Sequence, residues 1–412
     1  MTLRTGSYFY GWNIVGVAMI FQAITFGMTV YGFGFWVEPW SAEFGASRGQ
    51  IMIGITLMNA ASAILSPFVG HALDKYSIRW MVSIGAVALA AGFLVISTAS
   101  GIWTILASYM VLISIAVVLV GPLSSSTLVA KWFTRNRGLA IGLSSVGTSL
   151  GGFIMPAVIA FMLIEYGWRL AHVYLAFMAL ILIIPLTLWI IRNSPEEKGV
   201  APESPTNEPG RSDVETDEQD WTTATVFRDK TFWIIAAALG LMMTAFTGIV
   251  PNLVPYALEA GVSVANASVM MALLAGGGIL SKIVMGSLAD RTDLRYLAWA
   301  NNLMLGTPIL LLMGDPTYTG LLVISALIGL STGGFTPLIG AAIGSHFGPS
   351  AFGRVFGLLN PFTLGFALIG PPMMGYIYDA TQSYDLSLQI FAGMITMSAV
   401  VVFFLKVKPA RT

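Results

Sequence analysis

Apolar residues run along the chain in long blocks separated by short polar breaks. About 20 apolar residues are needed to cross a hydrocarbon core of ~30 Å at 1.5 Å of rise per residue. Twelve blocks reach that length: 12–37, 49–70, 80–98, 103–129, 138–161 and 169–191, then 232–256, 266–288, 296–314, 318–345, 352–376 and 386–406. Each predicts a membrane-spanning helix, because a helix satisfies its backbone polar groups without water. The first block exceeds the apolar core of a cleavable signal peptide and no small-residue cleavage site follows it, so it is expected to stay in the mature protein. One break differs from the rest. Residues 192–231 hold Pro195, Pro202, Pro205 and Pro209 and ten of the twenty acids, the composition of a solvated linker. The expected organisation is an all-α membrane protein with a six-helix half at 1–191, a cytoplasmic linker at 192–231 and a second six-helix half at 232–412.

Composition narrows the class. Only 10% of the 412 residues are charged and 56% are hydrophobic, whereas soluble domains carry roughly a quarter charged residues. A soluble globular protein and a disordered chain are both excluded. Twenty basic residues balance twenty acidic ones, so charge predicts no nucleic-acid partner. With no Cys, disulfides, thiolate nucleophiles and Cys-based metal sites are impossible. His71, His172 and His346 lie near span ends and are too scattered for a metal site, and no cofactor is expected. No Walker loop, GxSxG elbow or HExxH is present, which argues against an ATP-driven pump or a membrane hydrolase. An enzyme is not expected.

Basic residues set the orientation, since Lys and Arg are retained in short cytoplasmic loops. With both termini inside, seventeen Lys and Arg fall on the cytoplasmic side, only Arg48 and Arg169 fall outside, and Lys282 falls within a span. Ten of the eleven Trp, including Trp12, Trp36, Trp80, Trp132 and Trp299, sit near predicted span ends, as interfacial anchoring expects; Trp221 does not.

The two halves repeat one plan. After the second span the chain reads Gly70-His-Ala-Leu-Asp74-Lys75-Tyr-Ser-Ile-Arg79, and after the eighth Gly286-Ser-Leu-Ala-Asp290-Arg291-Thr-Asp-Leu-Arg295. Gly, Asp and the final Arg recur at a displacement of 216 residues. Pro122 and Pro337 recur at 215, and Arg137 and Arg354 at 217.

Those segments also carry a family resemblance. G-x-x-x-D-[KR]-x-x-x-R in the loops after spans two and eight, within a 6+6 layout and a long central loop, resembles the major facilitator superfamily. Tyr10-Gly11-Trp12 at span one, and Lys131-Trp132-Phe133-Thr134-Arg135-Asn136-Arg137-Gly138-Leu139-Ala140-Ile141-Gly142 leading into span five, resemble the monocarboxylate porters and the related oxalate/formate antiporters. The resemblance implies a secondary transporter working by alternating access, with its site near the midplane between the halves. Repeats and a midplane site are what such carriers need, because rocking one half against the other exposes the site to each side in turn.

By the pseudo-symmetry, Asp74 is expected to meet the start of span eleven near Arg354, and Asp290 the start of span five near Arg137. A carboxylate there can accept backbone N–H groups at the positive end of a helix dipole. With Arg79 and Arg295 completing the two motifs, and Gly70 and Gly286 permitting close helix approach, these residues would latch the cytoplasmic side. The alternative is that the charges only fix topology and shape the loops.

One charge stands inside the membrane. No acid falls in the middle of a predicted span, and Lys282 is the exception among the bases. It lies eight residues before Asp290, ~12 Å of helix. A charge at the bilayer centre costs ~2.5 to 3.5 kcal/mol on insertion scales, so an ionisable residue retained there is a functional candidate. Gly278, Lys282 and Gly286 are spaced by four with Ser281 adjacent, a small-residue stripe that predicts a face towards protein or cavity rather than lipid. An ammonium there attracts an anion, and a carboxylate suits it. The structural alternative is a snorkelling or backbone-capped lysine. The family resemblance implies an arginine four residues before the motif glycine as the carboxylate-binding residue; this chain has Lys282 there. The aspartate that animal monocarboxylate porters place four residues earlier is Gly278 here, and their span-one lysine has no evident counterpart, so their proton pathway does not carry over. Lys282 either stays charged and biases the protein towards exchange, or releases a proton and gives anion/proton symport.

Further lining candidates are Tyr31, Ser124 and Ser125 beside Pro122, Asn252 between Pro251 and Pro255, and Asn360 before Pro361. Proline-interrupted helices free backbone groups that are tolerated where they line a cavity; for each side chain the alternative is an interhelical hydrogen bond. Ser66, the symmetry mate of Lys282, is neutral. The expected function is transport of small organic anions, short monocarboxylates above all, with protons as a further partner in the symport case. The protein is expected as a monomer in a prokaryotic inner membrane. The rivals are a transporter of neutral or amphipathic compounds and a non-transporting membrane sensor.

Overall fold

The computed structural model describes residues 9–133, 136–198, 221–289 and 292–405. Fifteen α-helices follow one another: α1 Gly11–Phe26, α2 Val37–Phe44, α3 Arg48–Lys75, α4 Ile78–Ser97, α5 Ile102–Ser108, α6 Ser114–Val120, α7 Pro122–Trp132, α8 Arg137–Ile190, α9 Thr223–Arg228, α10 Lys230–Glu259, α11 Val264–Ala289, α12 Leu294–Leu312, α13 Tyr318–Thr332, α14 Phe335–Thr381 and α15 Asp385–Phe403. All twelve predicted segments fall on helix, and no strand occurs among the described residues. Nine of the described helical stretches are long and apolar enough to cross a membrane. The protein is an all-α, multi-pass membrane protein.

Several spans are broken or fused for local reasons. A π-helical turn at Gly27–Tyr31 and a 3-10 turn at Phe33–Trp36 join α1 to α2. A second π turn, Tyr109–Ile113, joins α5 to α6, and Pro122, which carries no N–H, opens α7 at its first turn. Predicted spans five and six form one assigned helix, α8, interrupted only at Gly167, where φ is 72°. Gly348, φ 81°, divides α14 in the same way between spans ten and eleven. Both turns need a left-handed residue, which glycine adopts without a Cβ clash.

Helix contacts in the first half recur in the second. α1 packs on α8 as α10 packs on α14, α4 on α8 as α12 on α15, and α3 on α6 as α11 on α13. Glycines set the closest approaches: Cβ atoms added at Gly147 and Gly151 of α8 would overlap the backbone of Met19 and Ala23 of α1. In the second half Gly370 of α14 meets Thr244 of α10 and Gly329 of α13 meets Leu274 of α11 in the same manner. Such backbone-to-backbone contacts replace the hydrophobic drive that lipid cannot supply. The two sets of helices meet along α3 with α14 and α11 with α8.

The tryptophans depart from the interfacial expectation. Trp80, Trp103 and Trp189 are exposed, but Trp36, Trp40 and Trp132 are fully buried. Trp132 donates Nε1–H to Arg192 O at 2.9 Å and packs on Phe9 and Tyr10. Trp36 and Trp40 join Trp168 and His172 in an aromatic cluster. Their rings are core, and only their position along the chain resembled an anchor.

Candidate functional site

Lys282 lies on α11 and reaches across to α8. Its Nζ donates to Ser145 O at 3.1 Å and to Thr148 Oγ1 at 2.9 Å. Among the described residues no carboxylate lies within salt-bridge distance of it, and the side chain is half-buried. The Thr148 hydroxyl donates to Ser145 O at 2.9 Å, so its oxygen lone pairs face the ammonium. Gly278, one turn earlier on α11, lies against Thr332 and Ser149: a Cβ there would sit 2.6 Å from Thr332 Oγ1 and 3.4 Å from Ser149 Oγ. The small-residue stripe therefore faces α8 and α13, not lipid. Ser281 is buried beside Gly333, and its hydroxyl has no partner among the described residues.

Tyr31 joins this neighbourhood. It ends the π turn after α1, and its ring lies against Gly152 of α8, three residues beyond Ser149. π turns frequently mark functional positions because they displace a side chain from the helical register. Neighbouring turns of α8 thus meet Lys282 of α11, at Thr148, and Tyr31, at Gly152.

None of the remaining predicted lining residues is hydrogen-bonded to Lys282 among the described residues. Ser124 and Ser125 are buried at the start of α7 and donate to Val118 O at 3.1 Å and Ala18 O at 3.4 Å. Asn252 is fully buried; its Nδ2 donates to Gly248 O at 2.8 Å and reaches Pro371 O of α14 at 3.4 Å, while its Oδ1 has no partner among the described residues. Asn360 is exposed on α14.

Three of the expected latch arginines hold partners other than those expected. Arg79 donates to Ile191 O at 2.7 Å, and Arg295 pairs with Asp293 at 3.1 Å. Asp74 and Arg137 are exposed, and Arg354 donates to Trp221 O. Among the described residues no salt bridge joins Asp74 to Arg354, and no atom lies within 4 Å of where a Gly70 Cβ would stand. Gly286 lies within α11; Asp290 lies outside the described residues.

The opposite end of α3 carries a junction that sequence reasoning missed. Arg48 Nη1 donates to Glu259 Oε2 at 2.7 Å and to Tyr384 OH at 2.5 Å, and its guanidinium lies 3.8 Å from the centre of the Tyr378 ring. Glu38 stands 3.9 Å from Nη2. Asp379 of α14 accepts the N–H groups of Arg48 and Gly49 at 2.9 and 2.8 Å, while Ser47 accepts that of Gln50 in a capping box. The first turn of α3 is thus capped in part by the other half, which places a carboxylate at its positive end. Gly49 and Gly375 let the two backbones meet there, with a Gly375 Cβ falling 2.8 Å from Gly49 Cα. Arg169 instead fastens its own half, pairing with Glu43 at 2.5 Å and donating to Ser97 O and Ala99 O.

At the Asp74 end, the close of the linker is strapped to α14. The Trp221 ring packs on His346 and Phe347, and His346 Nε2 lies 3.2 Å from Asp229 Oδ2. Asp229 also caps α10 through Thr231 N at 2.7 Å. Burial raises the Asp229 carboxyl, but the His346 hydrogen bond and attraction and the Thr231 N–H outweigh it and hold it below its ordinary value of 3.8.

Repeated sets of apolar helices, with the Lys282 ammonium where α11 meets α8, are the architecture of a membrane transporter. The chain belongs to the major facilitator superfamily: residues 17–302 and 241–412 match the family described as Major Facilitator Superfamily. It is 26% identical to mouse monocarboxylate transporter 14 over 90% of this chain and 84% of that protein. It is 24% identical to an uncharacterized MFS-type transporter of Bacillus subtilis, over 90% and 89% of the two chains. In fold it is similar to a bacterial homolog of the human lysosomal transporter Spinster, with TM-score 0.70 and 15% identity over 97% of this chain and 95% of that one.

Two expectations follow. Removing one partner from a charge-assisted hydrogen-bond set costs ~1.5 to 3 kcal/mol. Arg48→Gln should therefore raise the rate at which a water-soluble maleimide labels a Thr56→Cys probe, placed between α3 and α14, by about tenfold; an unchanged rate would show that Arg48 does not hold this end shut. Because the folded Asp229 carboxyl is depressed, its contribution is complete above the ordinary value and fades as pH falls through the lowered one. Asp229→Asn keeps a capping oxygen, so it should cost under ~1 kcal/mol near neutrality, with thermal melts of mutant and wild type converging only as pH falls below the ordinary value and through the lowered one.

Proposed function

We propose that this major facilitator protein is a secondary active transporter of small organic anions, with monocarboxylates as its principal substrates, working by alternating access. The observation that supports this most is the Lys282 ammonium on α11. It lies against α8 of the other half, with neutral oxygens as its partners and no carboxylate to neutralise it among the described residues. An anion entering between the halves meets an uncompensated positive charge, and a carboxylate can take the place of the neutral acceptors while supplying the countercharge that neither of them carries. Tyr31 supplies a hydroxyl beside it, and Ser124, Ser125, Asn252 and Asn360 complete the proposed lining. The names of the monocarboxylate transporters that match this chain favour the same substrate class.

In this reading residues 1–191 and 232–412 rock against each other around the site, joined by 192–231. The Arg48 end is the extracellular end, both termini are cytoplasmic, and the membrane is a prokaryotic inner membrane. Closing the Asp74 end brings Asp74 towards Arg354, and Asp290 towards Arg137, while the Arg48 junction parts. Coupling is either anion/proton symport or anion exchange, and uptake under an imposed pH gradient without internal anion separates the two.

A ligand that binds only the folded protein stabilises it by RT ln(1 + [L]/Kd), ~2.7 kcal/mol at a hundredfold excess over Kd. A thermal-shift screen of short monocarboxylates should find stabilisation of that order in the wild type and none in Lys282→Ala. Equal stabilisation of both proteins, or carboxylate transport intact in Lys282→Ala, would favour a carrier of neutral or amphipathic compounds in which Lys282 is structural.

A further inference from the structure

A carrier with a fixed cation in its site faces an unfavourable step on every return without substrate, because the charge must cross the conformational cycle with nothing to neutralise it. The surroundings of Lys282 offer a remedy. Ser145 O and Thr148 Oγ1 sit one turn apart on the same face of α8 and take two of the three ammonium hydrogens, at 3.1 and 2.9 Å. Thr148 is oriented for this, since its own hydrogen is directed to Ser145 O at 2.9 Å and its lone pairs are left for Lys282. The Ser145 hydroxyl is turned away onto Gly142 O at 2.7 Å. One turn earlier on α11, Gly278 lies close to both neighbours, where a Cβ would stand 2.6 Å from Thr332 Oγ1 of α13 and 3.4 Å from Ser149 Oγ of α8.

Resting on the reading of Lys282 as the anion-binding cation, we propose that Thr148 is a positioning residue that serves as the internal stand-in for substrate. It occupies the ammonium when no carboxylate does, so that the unloaded carrier can reorient. A bound carboxylate draws Nζ away from Thr148 and so also loosens the tie between α11 and α8. Thr148 then sets how readily the protein performs net transport as opposed to one-for-one exchange. In exchange, both directions are made with the cation neutralised by substrate, and the stand-in is not used.

The full chain, reconstituted in vesicles, tests this with radiolabelled pyruvate in two assays: net uptake into vesicles without internal anion, and exchange into vesicles preloaded with unlabelled pyruvate. Thr148→Val keeps the side-chain shape and removes the acceptor. It should lower the ratio of net uptake to exchange about tenfold, as expected for losing a hydrogen bond to a charged group. Thr148→Ser should restore the ratio, which a merely structural role for the threonine methyl would not allow. A Thr148→Val ratio equal to that of the wild type, equal loss of both fluxes, or a wild type that exchanges without net uptake would overturn the proposal. Lys282→Ala with both fluxes intact, or a wild type that moves pyruvate in neither assay, would instead overturn the reading on which it rests.

Discussion

An ammonium held at the depth of a bilayer must find oxygen atoms within hydrogen-bond reach, because water and counter-ions are scarce there and burying an unpaired charge is costly. In this protein Lys282 comes from α11 and its oxygens come from α8. The solvation of the charge therefore depends on the relation between two helices that belong to different halves. Any motion that slides or tilts α11 against α8 changes the free energy of the cation, and any anion that satisfies the cation changes the free energy of that motion. Under the proposed function, substrate binding and conformational change are linked through this one side chain.

The fold supplies what this linkage needs. Glycines press α1 on α8 and α10 on α14 until backbones touch. Between the halves the contacts are uneven. At one end Arg48, Glu259, Asp379, Tyr378 and Tyr384 form a dense junction around the start of α3. At the other, Asp74 is exposed and Arg354 is held by Trp221 of the linker.

The spans were legible because crossing a membrane imposes a length and an absence of charge that few other structures share, and the duplicated loop motifs gave the superfamily. Lys282 was legible for the same reason in reverse: a charge in such a block stands out. Its partners were not. Ser145 and Thr148 are two of many hydroxyl residues in apolar helices, and most of those bond their own backbone, as Thr29, Ser83 and Thr187 do. Arg48 was visible only as one of two basic residues on a minority face, since Glu259 and Tyr384 lie 211 and 336 residues away and no local pattern links them. The buried Trp36, Trp40 and Trp132 show the converse error, because nearness to a span end along the chain does not say which way a ring points. Ser124 and Asn252 were chosen for their prolines, and each donates to a backbone carbonyl, Ser124 to that of Val118 and Asn252 to those of Gly248 and Pro371.

The central claim is that the Lys282 position opens to water and to anions between the halves. The chain has no Cys, so Lys282→Cys introduces a single thiol whose reactivity can be read directly in membranes. The account predicts that a membrane-impermeant, negatively charged thiosulfonate modifies this thiol and that pyruvate slows the reaction in proportion to its occupancy. A thiol that reacts only with lipid-soluble reagents, or with none, would contradict it.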